Sequence, residues 1–297
     1  MEHPDNHSHS HSHSVAINKG NKNVFLIGIG LNMAFVLAEV IAGVVYNSMA
    51  LLTDAGHNLS DVASLVISLV AFWMARKKSN ATYTYGYKKT TILAALLNAV
   101  ILFVAIGILG YETVHRLFKP EKVEGNIIAW VAGLGIIING LTAWLFYRNK
   151  KKELNAKSAY LHMLADMLVS LGVVIAGVII IYTKWYWLDA VIGLAILVVI
   201  LISTWDLLID SFKMTIDAVP EGINLEDIKN TIRKVKGVHN VEHVHVWSLS
   251  TTENALTAHV TVDDKLTFEE KLSVVKHIKH ELEHSTIHHS TIELETI

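Results

Sequence analysis

The sequence predicts an α-helical polytopic membrane protein of six transmembrane helices, followed by a small cytoplasmic α+β domain of order αββαβ. Three observations predict it. Of 297 residues, 52% are hydrophobic and the mean hydropathy is +0.40, which favours a membrane chain over a soluble globule. Six apolar stretches, at 24–45, 49–73, 91–113, 127–147, 159–182 and 188–209, each supply the ~20 residues that a helix needs to cross hydrocarbon. From about residue 213 the character changes, and 213–297 hold 9 Lys+Arg, 14 Asp+Glu and 9 His.

Taken in order, residues 1–23 open with HPDNHSHSHSHS. No apolar core and cleavage site follow a basic start, so this is no signal peptide. It reads as a disordered, His-rich cytoplasmic tail suited to collecting metal. The transmembrane domain is expected over 24–212. With the N-terminus inside, the inner loops carry twelve Lys and Arg and the outer loops four. That bias places both termini in the cytoplasm. Trp73, Trp144, Tyr147, Tyr182, Trp185, Tyr186 and Trp187 fall at segment ends, as interfacial aromatic residues do. Gly133, Gly135, Gly140, Gly172, Gly177 and Gly193 run through the last three segments and permit close helix packing.

The cytoplasmic domain is expected over 213–297, with a role in metal binding and dimerisation. AVPEG at 218–222 is a linker. Helical spacing marks 224–235 and 267–283, the second opening on a Thr267/Glu270 capping box. Alternation marks strands at 241–249, 255–263 and 290–295.

Composition narrows the chemistry. A net charge of -2 gives no bias toward nucleic acid. There is no cysteine, so disulfides and thiolates are excluded and any metal site uses nitrogen and oxygen. That disfavours Cu(I) and leaves Zn, Co, Ni, Fe or Mn. Of 17 histidines, five lie in the first 13 residues, three in the membrane region and nine after residue 238.

TDAGHNLSDVAS, at 53–64, puts Asp54, His57 and Asp61 inside an apolar segment. A charged side chain at the bilayer centre costs at least ~2.5–3.5 kcal/mol and marks a pathway or a partner. His57 and Asp61 are four apart and share one helix face. HMLAD places His162 and Asp166 at the same spacing in the fifth segment. Facing each other, the two helices offer His2Asp2, which suits tetrahedral Zn2+. Both ligand types exchange metal for protons. Asp54 is read as a supporting residue. Glu39 is noted as a further acidic residue. Asp189 and Asp206, toward segment ends, are read as solvated at the interface. Asn32, Asn98 and Asn139 are read as interhelical hydrogen-bond contacts. In the last domain, His243, His245 and His259 are spaced for adjacent strands, with His243 and His245 on one face.

The chain resembles a cation diffusion facilitator of the cobalt–zinc–cadmium exporter type. SMALLTDAGHNLSD (48–61), TYGYKKTTILAALLNAVIL (84–102), AYLHMLADMLVS (159–170), LDAVIGLAI (188–196) and HVHVWSLSTTENALTAHVTVDD (243–264) carry the resemblance. It implies six transmembrane helices, a metallochaperone-like cytoplasmic domain, a homodimer and metal-for-proton antiport, with K+ coupling also proposed in the family. It implies a transport site at His57, Asp61, His162 and Asp166, with Zn2+ preferred over Cd2+. It matches Lys88 and Asp217 to a salt bridge near the cytoplasmic face. It matches His243 and His259 to regulatory metal ligands, with a third donor from Glu293, Glu295 or His289. One departure is visible. Tyr83 and Tyr87 stand in TYTYGYK where some members carry histidines, so no metal is expected in that loop.

HELEH at 280–284 fits the H-E-x-x-H protease motif. Only 13 residues follow His284, too few for a third ligand helix and a cleft, so a solvated face is the better reading. No phosphate-binding G-x-x-x-x-G-K-[ST] motif occurs. The expected function is secondary export of Zn2+, with Co2+ and Cd2+ as further substrates, against protons at a cell membrane. Zn2+ is the substrate and a candidate regulatory ligand, and no organic cofactor or enzymatic activity is expected. The alternatives are a membrane-embedded metalloenzyme and a non-transporting metal sensor.

Overall fold

The computed structural model describes residues 22–147 and 154–296. The His-rich tail lies outside them. Six long helices come first: α1 (Lys22–Val45), α2 (Met49–Ala75), α3 (Thr90–Phe118), α4 (Gly125–Tyr147), α5 (Leu154–Thr183) and α6 (Trp187–Thr215). Among the described residues five helices are long and apolar enough to cross a membrane, on α2 to α6, and Asn32–Val45 of α1 is a shorter apolar helix. Helices α3, α5 and α6 run several residues beyond their apolar stretches, because nothing in their polar ends breaks a helix.

The chain divides into two compact units, Met1–Val66 with Val100–Trp205, and Ile67–Ala99 with Asp206–Ile297. In the first, small residues set the helix spacing. A Cβ on Gly177 would meet the Ala129 backbone nitrogen at 2.9 Å, and one on Gly135 would meet Phe35 at 2.5 Å. Gly133 and Gly172 meet nothing within 4 Å and play no such part. The interior includes Ala42, Leu51, Ile128, Ala132, Val173 and Ile180. Large apolar side chains such as Val104, Ile108, Ile137, Leu168 and Ile202 point outward. That surface would be a liability in water and is the expected one in lipid.

Asp189 departs from its sequence reading. It is 2% exposed, and it caps another helix. Its carboxylate accepts from Ser48 Oγ and Met49 N at 2.5 Å each, and from Ala50 N at 3.3 Å. The first N–H groups of α2 have no partner within their own helix, and an anion there satisfies them and meets the positive helix end. Gly193, one turn on, allows this approach, since a Cβ there would sit 3.2 Å from the Met49 backbone. Asp206 is exposed, as expected. Asn139 is buried, but its side-chain amide has no hydrogen-bond partner among the described residues.

In the second unit, α7 (Leu225–Arg233), β1 (Val238–Ser248), β2 (Asn254–Val262), α8 (Phe268–Glu283) and β3 (Ile287–Thr296) give the expected order. The sheet order is β1-β2-β3. The β1/β2 pair is antiparallel and the β2/β3 pair parallel. The parallel step needs a crossover, which α8 supplies. Ile228 and Ile232 of α7 and Val274, Ile278 and Leu282 of α8 pack on Val246, Leu256, Val260 and Val262. The opposite face is left to polar side chains. Asn224 caps α7 and Thr267 opens α8 with the predicted capping box. The two Thr267 donors, backbone first, hold the Glu270 carboxyl below its ordinary range.

Replacing Asp189 with Ala should destabilise the membrane unit by about 1–2 kcal/mol, the loss of an N-cap. Thermal unfolding in detergent should give a lower Tm than the parent, with Asp189→Asn in between.

Candidate metal centre

The two H-x-x-x-D stripes meet across α2 and α5. His162 Nε2 lies 3.0 Å from Asp61 Oδ2 and 3.6 Å from Asp166 Oδ2. His57 Nε2 lies 3.3 Å from Asp166 Oδ1 and 3.8 Å from Asp61 Oδ2. Each imidazole therefore faces a carboxylate of the other helix and one of its own. The cross-helix pairs 57–166 and 61–162 run in opposite senses, so the two helices are antiparallel here. All four sequence-predicted residues come together.

The size of the ring can be judged. Zn2+ bonds of about 2.0–2.1 Å in a tetrahedron place neighbouring ligand atoms roughly 3.3 Å apart. The four contacts, 3.0–3.8 Å, bracket that edge. Ligand atoms of His57, Asp61 and Asp166 fall within 4.8 Å of one another. Ca2+ and Mg2+ are hard cations that prefer oxygen ligands throughout, whereas half of this set is imidazole nitrogen. The ring is also unevenly covered. The side chains of Asp61 and His162 are 37% and 34% exposed, those of His57 and Asp166 only 19% and 4%.

Around this ring the helices bury further polar groups. Asp54 and Glu39 are 1% and 0% exposed. Asn58 Nδ2 donates to Glu39 Oε2 at 3.2 Å, tying α2 to α1. The sequence reading noted both carboxylates without joining them, because they lie on different helices.

In the cytoplasmic domain the outer sheet face gathers His243, His259, Glu293 and Glu295. The His243 and His259 rings are 5.0 Å apart. His259 meets Glu293 at 3.5 Å and Glu295 at 2.8 Å. A β-bulge makes this possible. The β1 register slips between Glu242 and His245, and His243 sits at φ 49°, a left-handed conformation uncommon outside glycine. His243 and His245 are both exposed, with the bulge between Glu242 and His245 interrupting the simple alternation. His289 does not join. It precedes Glu293 by four residues, ~13 Å along a strand, and its ring packs edge-on against Tyr85 at 5.3 Å.

The predicted Lys88–Asp217 pair is also redrawn. Lys89 Nζ binds Asp217 at 2.7 Å, while Lys88 Nζ binds Glu253 at 2.5 Å. Neighbouring residues just ahead of α3 point different ways, and spacing alone cannot say which one reaches which acid. The loop tyrosines Tyr83 and Tyr87 pack ring on ring at 4.8 Å. His280 and His284 of HELEH lie 4.9 Å apart on the exposed side of α8.

A nitrogen–oxygen ring of tetrahedral size, set between membrane helices, defines a candidate site for a divalent metal ion inside a membrane protein. The family model for the cation efflux transmembrane domain matches residues 25–214, and that for the cation efflux protein cytoplasmic domain matches 220–297. The chain belongs to the cation efflux family. It is 38% identical to the cadmium, cobalt and zinc/H(+)-K(+) antiporter of Bacillus subtilis (strain 168), over 94% of this chain and 91% of that protein. It is 34% identical to zinc transporter ZitB of Escherichia coli (strain K12), over 93% and 88%. It is 36% identical to metal cation efflux system protein CzcD of Cupriavidus metallidurans, over 93% and 87%.

Exposed ion pairs contribute roughly 0–1 kcal/mol each, so Lys88→Glu should lower the Tm only slightly. Adding Glu253→Lys should restore it, and a double-mutant cycle on the purified protein measures the coupling.

Proposed function

We propose that this protein is a secondary transporter that exports Zn2+ from the cytoplasm in exchange for protons, with His57, Asp61, His162 and Asp166 as the transport site. The observation that carries the reading is the crossed ring, in which each imidazole meets a carboxylate of the other helix. Binding Zn2+ displaces protons from the imidazoles and leaves two carboxylates to balance the ion. Acidification reverses the exchange, because metal and protons compete for the same atoms. The more exposed pair, Asp61 and His162, lies toward the ends of α2 and α5 that carry the basic loops. Metal loading from the cytoplasm fits that side. The name of the Bacillus subtilis relative, a cadmium, cobalt and zinc/H(+)-K(+) antiporter, supports Co2+ and Cd2+ as further substrates.

The same proposal places the protein in the cell membrane as a multi-pass homodimer with both termini cytoplasmic, and gives it no nucleic-acid partner and no organic cofactor. Residues 1–23 are its metal-collecting tail, 24–212 its transmembrane domain and 213–297 its cytoplasmic domain. Zn2+ also acts as a regulatory ligand of that last domain, held by His243, His259, Glu293 and Glu295. The matched cytoplasmic-domain family and the clustering of these four side chains support this reading.

Reconstituted in liposomes, the parent should move Zn2+ against an imposed proton gradient. Asp61→Ala should lower the rate at least about 100-fold, since loss even of an outer-shell partner costs 10–100-fold. An Asp61→Ala variant as fast as the parent would exclude the ring as the transport site. Zn2+ binding at equilibrium should weaken as pH falls, because protons compete with the metal for the same imidazoles and carboxylates. Calorimetry on His259→Ala should count one Zn2+ fewer per chain while the intramembrane site still fills.

A further inference from the structure

The mechanism leaves one cluster of titratable groups unused. Glu39 on α1, Asp54 on α2 and Ser170 on α5 are 0%, 1% and 0% exposed. The two carboxyls face each other, and Ser170 faces Asp54. Among the described residues, Glu39 Oε1, Asp54 Oδ2 and Ser170 Oγ have no hydrogen-bond partner. Two facing carboxylates have no donor to share, so a cation must lie between them or on one of them. The other charged groups acting on them are Asp166 from α5 and His57 from α2. Asn58 engages one Glu39 oxygen and leaves the other free.

Charge balance decides what the cluster does. No Lys or Arg occurs between residues 23 and 75 or between 158 and 183, so these stretches of α1, α2 and α5 bring no fixed positive charge. The polar interior then holds four carboxylates, Glu39, Asp54, Asp61 and Asp166, against two imidazoles. Zn2+ in the ring balances Asp61 and Asp166 and leaves nothing for Glu39 and Asp54. Two protonated imidazoles balance the same two carboxylates and again leave the pair uncovered. An uncompensated charge at this depth costs at least ~2.5–3.5 kcal/mol. Neither filling of the ring meets the charge of the pair, which calls for a cation of its own.

We propose that Glu39, Asp54 and Ser170 form a second cation station that holds the counter-ion of transport, monovalent and on hard oxygen donors, either protons or K+. The proposal rests on the antiport reading. The station sits one turn from the ring: Asp54 precedes His57 by three residues and Ser170 follows Asp166 by four. Both steps lead away from the basic loops, toward the loop that joins α1 to α2. An ion arriving from that side meets the station before the ring. Gly135 of α4 keeps the station open, since a Cβ there would lie 3.0 Å from Ser170 Oγ.

The test uses full-length protein in phosphatidylethanolamine–phosphatidylglycerol vesicles with the near-isosteric variants Glu39→Gln and Asp54→Asn. Two rates are compared: Zn2+ uptake driven by a pH or a K+ gradient, and exchange of radioactive for cold Zn2+ with no gradient. Driven uptake should fall at least about tenfold, the loss of one charge-assisted contact, while exchange stays near the parent rate. Glu39→Asp should recover part of the drive. Loss confined to the pH gradient identifies a proton, and loss confined to the K+ gradient identifies K+. Unchanged drive in both variants overturns the station, and so does equal loss of drive and exchange in all three. A parent that shows no coupled uptake overturns the antiport reading instead.

Discussion

The pairing of His57 with Asp166 and of Asp61 with His162 is the interaction on which the membrane unit turns. Hydrocarbon offers no water to solvate a carboxylate, so each buried acid needs a partner that the fold itself brings. Antiparallel α2 and α5 bring those partners at matching heights. The same contacts that make the acids tolerable fix the spacing of four nitrogen and oxygen atoms near the edge of a zinc tetrahedron. Stability of the helix pair and readiness for metal are one arrangement here. A ring too tight for the ion would bind protons alone, and one too loose would leave charge exposed to lipid.

Asp189 meets the same constraint in another way. It lends a charge from α6 to the backbone of α2 and needs no cationic side chain. The N-terminus of α2 is thereby fixed two to three turns from His57. Glu39 has Asn58 on one oxygen, and the second oxygen of Glu39 and one of Asp54 are left without a partner among the described residues.

Much of this was legible in the sequence. Six apolar stretches of bilayer length and the alternation after residue 238 gave the architecture, because period and length are properties of single segments. The repeated H-x-x-x-D spacing gave all four ring residues, because each half lies on one helix. What needed two elements at once was hidden. Asp189 looked interfacial because its partners lie about 140 residues away in the chain. The neighbours Lys88 and Lys89 exchange roles, since loop spacing says nothing of direction. Glu295, not His289, reaches His259, because strand register and the bulge at His243 decide which residues meet. Asn139 was expected to bond across helices and has no partner among the described residues.

The two lysines ahead of α3 carry a mechanical consequence. One ion pair between two segments is a swivel, free to turn about its own axis. Lys88 and Lys89 are neighbours that hold different segments, Glu253 in the β1–β2 turn and Asp217 just beyond α6. Two anchors on adjacent residues form a clamp, and a clamp passes on torque. Even at roughly 0–1 kcal/mol each, two such anchors favour joint reorientation of the first turn of α3 and the β1–β2 turn over independent movement of either.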